Sequence, residues 1–196
     1  ISFGVRRSAR VSRRNDVDIS FVEPWFLDRR LSLGVDLFRS DEHYSDDYRL
    51  LTIGGRVTLG RPLGTFNRVN LSYGLQNYDV YDVEDDASDI IKDEEGERLK
   101  SALTLELVRD TRDNPFIPMR GMRASASAQL AGGPLGADTD LYSFKLQATR
   151  YVPLWMDHVF SVRGAWFTVD HYGDSDRVPI FDRFFENEAR KREFLM

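Results

Sequence analysis

Residues 51–60 read LTIGGRVTLG, with Leu51, Ile53, Val57 and Leu59 alternating with Thr52, Gly54, Arg56, Thr58 and Gly60. A period of two is strand geometry, because successive side chains leave opposite faces of a sheet. One face of this segment is therefore apolar, and the other is polar or bare.

The pattern recurs in both directions. Toward the N-terminus, Leu31, Leu33, Val35 and Leu37 alternate with Ser32, Gly34 and Asp36, and Val17, Ile19 and Phe21 with Asp16, Asp18 and Ser20. Phe3, Val5, Ala9 and Val11 do the same against Gly4, Arg6, Ser8 and Arg10. Toward the C-terminus come Val69–Leu75, Leu103–Leu107, Ala124–Leu130, Tyr142–Ala148 and Phe160–Trp166, each with polar or small residues between the apolar ones. About nine such segments approach the roughly 9–11 residues that a tilted strand needs to cross a bilayer. Strands of soluble proteins average nearer 5–6 residues. The expected fold is all-β: an antiparallel up-and-down transmembrane β-barrel, incomplete, with about nine strands of a larger barrel.

Composition allows this reading. Charged residues make up 30% of the 196, and the mean hydropathy is −0.44. A barrel wall hides its apolar face at alternate positions, so a low average does not exclude it. No apolar run reaches the ~18–20 residues of a membrane-spanning helix. There is no Cys, which removes disulfides and thiolate metal sites. A net charge of −5 argues against general nucleic-acid binding. ISFGVRRSAR carries charge but no apolar h-region, so it does not read as a signal peptide. The start without Met leads us to expect a chain taken from something longer.

The connections alternate in character. Pro24–Arg30, Arg61–Asn67, Thr111–Gly121 and Pro153–His158 are compact or Pro-containing, whereas Arg39–Tyr48, Asn77–Arg98, Ala131–Asp140 and Asp170–Pro179 are mostly longer and rich in Asp, Glu and Gly. Outer-membrane barrels have short periplasmic turns and longer outside loops; only the hairpin around Arg14 and Asn15 is short on the outer side. Trp25, Phe26, Phe66, Tyr78, Tyr81, Phe116, Tyr151, Trp155 and Tyr172 lie near strand ends, as an interfacial aromatic girdle would.

Two segments carry a family resemblance: VEPWFLDRR at 22–30, which contains Glu23, Pro24, Trp25 and Phe26, and VRDTRDNPFIPMRGMRA at 108–124. YVPL at 151–154 and VPIFDRFF at 178–185 follow in the same order. Together they resemble the barrel domain of the BamA-like outer-membrane assembly factors, the bacterial surface-antigen superfamily. The resemblance covers residues 1–185, the expected barrel unit; the polar, helix-prone tail 186–196 does not match the family's pattern. It implies a sixteen-stranded parent barrel, of which this chain supplies about the third to the eleventh strand, preceded by periplasmic POTRA domains.

The second segment is intelligible physically. Pro115 and Pro118 stiffen a turn and remove N–H donors where the sheet pattern ends. Gly121 permits positive φ as the chain re-enters a strand. Arg109, Asp110, Arg112 and Asp113, with Asn114 and Phe116 in the same turn, offer ion pairs and contacts at a water-facing rim.

Catalytic chemistry is not in evidence. The sequence has no G-x-S-x-G, P-loop or dinucleotide fingerprint. His43, His158 and His171 stand apart; Asp41, Glu42, Asp46 and Asp47 beside His43 read as a solvated loop. Asp82–Glu97 is densely acidic but lacks the ordered spacing of an EF-hand calcium loop. No catalytic residue, metal or cofactor is expected. Arg6, Arg10, Asp18, Asp36, Arg56, Lys145 and Arg163 would line a hydrated lumen with both charge signs.

What the resemblance implies is insertion and folding of other β-barrel proteins into the bacterial outer membrane, through a weakly closed seam and a thinned bilayer rather than through a reaction. The implied partners are outer-membrane lipid, unfolded outer-membrane protein clients, and periplasmic or lipoprotein subunits. Two alternatives remain at this stage: a polypeptide secretion pore of the same superfamily, and a soluble β-sandwich binding module, which would need no detergent.

Overall fold

The computed structural model describes residues 2–10, 14–44, 48–84, 92 and 95–173, with side chains from Asp16 onward except those of His43 and Tyr44. The segment VPIFDRFF, the tail 186–196 and most of the acidic 82–97 loop lie outside the described residues.

Among the described residues, nine strands form one antiparallel sheet in chain order: β1 (Ser2–Arg10), β2 (Arg14–Glu23), β3 (Ser32–Tyr44), β4 (Tyr48–Leu63), β5 (Asn67–Tyr81), β6 (Gly96–Asp110), β7 (Gly121–Ala131), β8 (Leu141–Pro153) and β9 (Val159–His171). Every hairpin pairs residue against residue without a bulge. Register therefore carries the apolar phase unbroken across the sheet. One row runs Phe21, Val35, Val57, Tyr73, Leu103, Leu130, Tyr142. The next runs Leu33, Leu59, Leu71, Leu105, Ala128, Phe144. Ile53, Val57, Leu71, Leu103, Leu105, Leu107, Phe144, Leu146 and Trp166 are all exposed on this face. So large an apolar surface is incompatible with water and fits the hydrocarbon of a bilayer.

The opposite face is polar and cross-linked. Ser40 Oγ donates to Asp16 Oδ1 at 2.6 Å, Asn70 Nδ2 to Glu106 Oε2 at 2.8 Å and Gln129 Nε2 to Thr104 Oγ1 at 3.1 Å; the Thr58 and Ser72 hydroxyls bond at 2.9 Å. Asp18, Asp36, Arg56, Lys145 and Arg163 share this face by register. Two small buried clusters lie on it near the end away from the compact turns: Leu50, Tyr78 and Val80, and Ala102, Ala131 and Leu141.

Three features depart from the expectation. The strands are longer: β4 has 16 residues, β5 and β6 have 15 each. Once two strands are in register, each further pair adds backbone hydrogen bonds without needing an apolar side chain. The β3–β4 connection thereby shrinks from the expected Arg39–Tyr48 to residues 45–47, and Asn77–Arg98 to 82–95. Third, the aromatics divide. Trp25, Phe66, Phe116 and Trp155 are exposed at turns, as a girdle requires. Tyr78 is instead buried against Leu50 and Val80, and Tyr172 donates its hydroxyl to Ala131 O at 2.9 Å. Tyr78 lies on the polar face, and the Tyr172 hydroxyl has a carbonyl partner for an O–H that lipid would leave unsatisfied.

Candidate functional site

The longest described turn at the compact end joins β6 to β7, residues 111–120. Backbone and side chain of Thr111 clamp its neck: Thr111 N donates to Met122 O at 2.8 Å, Met122 N to Thr111 Oγ1 at 3.0 Å and Thr111 Oγ1 to Met122 O at 3.1 Å. Gly121 completes the neck with φ +104; a Cβ there would lie 2.3 Å from Thr111 O. No L side chain fits such an approach, which is the physical reason for glycine here.

Inside the turn, short polar side chains replace the sheet's missing partners. Asp113 Oδ1 accepts from the N–H groups of Asn114 (3.0 Å), Met119 (3.0 Å) and Arg120 (3.2 Å). Asn114 Oδ1 accepts from Phe116 N at 2.8 Å and Ile117 N at 3.2 Å. Arg112 grips Asp110 bidentately, Nε to Oδ1 at 2.9 Å and Nη2 to Oδ2 at 2.7 Å, and Nη1 donates to Pro115 O at 3.0 Å. The fork geometry makes this one of the stronger kinds of ion pair. The apolar tip, Phe116 and Ile117, is left 90% and 72% exposed.

Some burial disfavours the Asp113 carboxylate, but the N–H groups of Arg120, Met119 and Asn114 outweigh it and hold the group below its ordinary range. A depressed folded-state value means that the turn gains stability above the ordinary carboxylate pKa and loses it as pH falls through the lower folded one. We expect amide protection at Met119 and Arg120, corrected for the intrinsic pH dependence of exchange, to persist at pH 4 and to collapse below about that value. Hydrogen exchange measured across an acid series tests this; an Asp113→Asn protein should show no such step.

Glu23, Pro24, Trp25 and Phe26 form the β2–β3 turn. Glu23 Oε1 accepts from Trp25 N at 3.3 Å, and Phe26 N donates to Leu31 O at 2.8 Å. Trp25 and Leu27 are exposed. The sheet places this turn at the same end as 111–120 but three strand steps away, from β3 to β6. The two motifs therefore do not converge on one centre. Nor do the charges of 109–113 form one cluster: Arg109 projects on the apolar face and reaches Asn67 Oδ1 at 3.4 Å, while Asp110 pairs with Arg112. Sequence reading missed the Thr111 clamp, whose only signal is a β-branched hydroxyl one residue past the strand. It also missed the tie at the opposite end, where Asp140 Oδ1 accepts from Gly133 N at 2.6 Å and Tyr172 N donates to Asp140 O at 3.2 Å. Among the described residues no group of three or more His, Cys, Asp or Glu is placed to hold a metal.

A family model described as the Omp85 superfamily domain matches residues 1–187. The chain belongs to the Omp85 superfamily. The chain is similar to the outer membrane protein assembly factor BamA of Nitratidesulfovibrio vulgaris, 35% identical over 173 residues, which is 88% of this chain and 22% of that protein. The BamA of Neorickettsia risticii is 24% identical over 184 residues, covering 92% of this chain and 24% of that protein. The chain thus spans about a quarter of the length of the curated relatives it matches. Among solved structures, BamA from Haemophilus ducreyi lacking POTRA domains 1–3 superposes with a TM-score of 0.78 at 21% identity, over 92% of this chain and 37% of that one. That likeness shows the fold, that of part of a barrel of this kind. The nine strands are wall of such a barrel, and the protein is bacterial and outer-membrane.

Proposed function

We propose that this wall belongs to an assembly factor that folds and inserts β-barrel proteins into the outer membrane, without catalytic residues of its own. The observation that supports this most is the 35% identity with an assembly factor across 88% of the chain. Residues 1–185 would be the barrel unit and 186–196 a separate tail. The compact turns would face the periplasm, and unfolded outer-membrane proteins would be the clients, with periplasmic or lipoprotein subunits as partners. The turn residues Glu23–Phe26 and Arg109–Gly121 would act structurally: the fork of Arg112 on Asp110 and the three N–H bonds to Asp113 hold a stiff rim against which a less stable seam elsewhere in the barrel can open.

The test is reconstitution of the full-length protein into phospholipid vesicles with an unfolded client barrel. Client folding, read as heat-modifiable gel mobility, should run at least about ten-fold faster than in empty vesicles, a barrier reduction of ~1.4 kcal/mol or more. A client carried across and released unfolded would support the secretion reading, and an unchanged rate would remove the assembly reading.

A further inference from the structure

On the apolar face, rows of apolar side chains run into charge close to the compact-turn rim. On β4 the row Ile53, Val57, Leu59 reaches Arg61 and then Leu63; on β6, Leu103, Leu105, Leu107 ends at Arg109; on β8, Phe144, Leu146, Ala148 reaches Arg150 and then Val152. On β2 the row ends at Glu23, whose carboxylate is turned back onto Trp25 N. The register shows these residues to be level. Arg61 shares its row with Val69 and Leu107, whereas Arg109 lies one row further along β6 and Arg150 one row further again on β8. A shift of one row per two strands corresponds to a strand tilt of about 35°, so rim residues on successive strands sit at one height in the membrane.

Between Arg109 and Arg150 the wall is hollow. β7 contributes Ala124 and Ala126 to the apolar face, β8 contributes Ala148 and β9 Gly164, with Leu107 and Leu146 to either side of Ala126. The result is an open groove of about 840 Å³ that these small residues floor, with Leu107 and Trp166 at its sides and Arg109 at its mouth. Arg109 and Arg150 are both exposed and, two strands apart and one row offset, stand about 12 Å from each other along the rim. Each side chain can lean into that gap. No carboxylate shares these two rows among the described residues.

We propose that this is a binding site for one glycerophospholipid, with its phosphate between the guanidinium groups of Arg109 and Arg150 and an acyl chain along the Ala124–Ala148–Gly164 groove. Charge complementarity selects an anionic group at the rim, and a mainly apolar floor selects a hydrocarbon chain. The proposal rests on the orientation given above, which puts this rim in the phospholipid leaflet.

The test is native mass spectrometry of the detergent-purified full-length protein titrated with phosphatidylglycerol, with no client present, so that the result is independent of assembly activity. Wild type should retain one lipid. Arg109→Gln with Arg150→Gln, and separately Ala124→Leu with Ala148→Leu, should each weaken retention on the order of ten-fold. The leucine pair keeps the face apolar and so leaves the barrel folded, which heat-modifiable mobility checks. Arg30→Gln, in the β2–β3 turn at the same end of the sheet but three strands and more from the groove, should retain the lipid as wild type does. Equal retention by all variants, an equal loss with Arg30→Gln, or retention of lipid A in place of the phospholipid would each overturn the site.

Discussion

Gly121→Val is expected to leave most of the full-length protein unable to reach its heat-resistant, compact gel form. The position combines φ +104 with a Cβ site 2.3 Å from Thr111 O and 2.8 Å from Arg112 Cα. All the obstructing atoms are backbone, so no rotamer change relieves the contact. Either the neck opens, breaking the three Thr111–Met122 bonds, or β7 re-enters the sheet out of register. Strained backbone at such a site costs ~1–3 kcal/mol, and the lost hydrogen bonds add ~1 kcal/mol each. Gly64→Ala is the matched comparison: its φ is +79, but nothing lies within 4 Å of the added Cβ. That change should cost only about 1–2 kcal/mol of left-handed strain. Urea titration of the folded fraction in detergent checks both, and a Gly121→Val protein with an unshifted midpoint would mean that the neck is not built as described.

The second large effect belongs to the wall. Leu105 is four residues from Arg109 on β6, which at a tilt of about 35° places it ~11 Å from the rim, near the middle of an apolar band ~25 Å tall. Its row neighbours are Leu71 and Ala128. Leu105→Arg should lower the stability of the full-length barrel in phospholipid vesicles by ~2–4 kcal/mol, the penalty for a cation at the bilayer midplane. Ser127→Arg introduces the same side chain on the polar face, opposite Glu106 and Lys145. It should stay within about 0.5 kcal/mol of wild type. Equal effects of the two substitutions in lipid would show that both faces meet the same solvent, contrary to a membrane wall.

The difference between those two positions was already readable from the chain. Odd positions are apolar from Val17 through Leu107, and even positions from Ala124 through Phe160; the change of parity falls in the Thr111–Arg120 turn, and the structure keeps it because no hairpin has a bulge. The turn itself was half legible. Its prolines, Gly121 and the Asp-Asn pair mark where a strand must stop, since those residues supply turn geometry and local acceptors. Their partners were not legible. That Asp113 collects N–H groups from Met119 and Arg120, or that Arg112 takes Asp110 while Arg109 goes to Asn67, depends on how far the turn folds back and on which face each strand-end side chain leaves.

Alternation, strand number, sidedness of the connections and the apolar face were determined by the sequence alone, because each is a property of residues adjacent or two apart along one strand. What only the tertiary structure decided is everything that crosses strands. The burial of Tyr78 against Leu50, the shared height of Arg61, Arg109 and Arg150, and the hollow floored by Ala124, Ala148 and Gly164 arise from residues 16 to 89 positions apart. Register brings them together, and register is set by the summed hydrogen bonds of whole hairpins rather than by any local pattern.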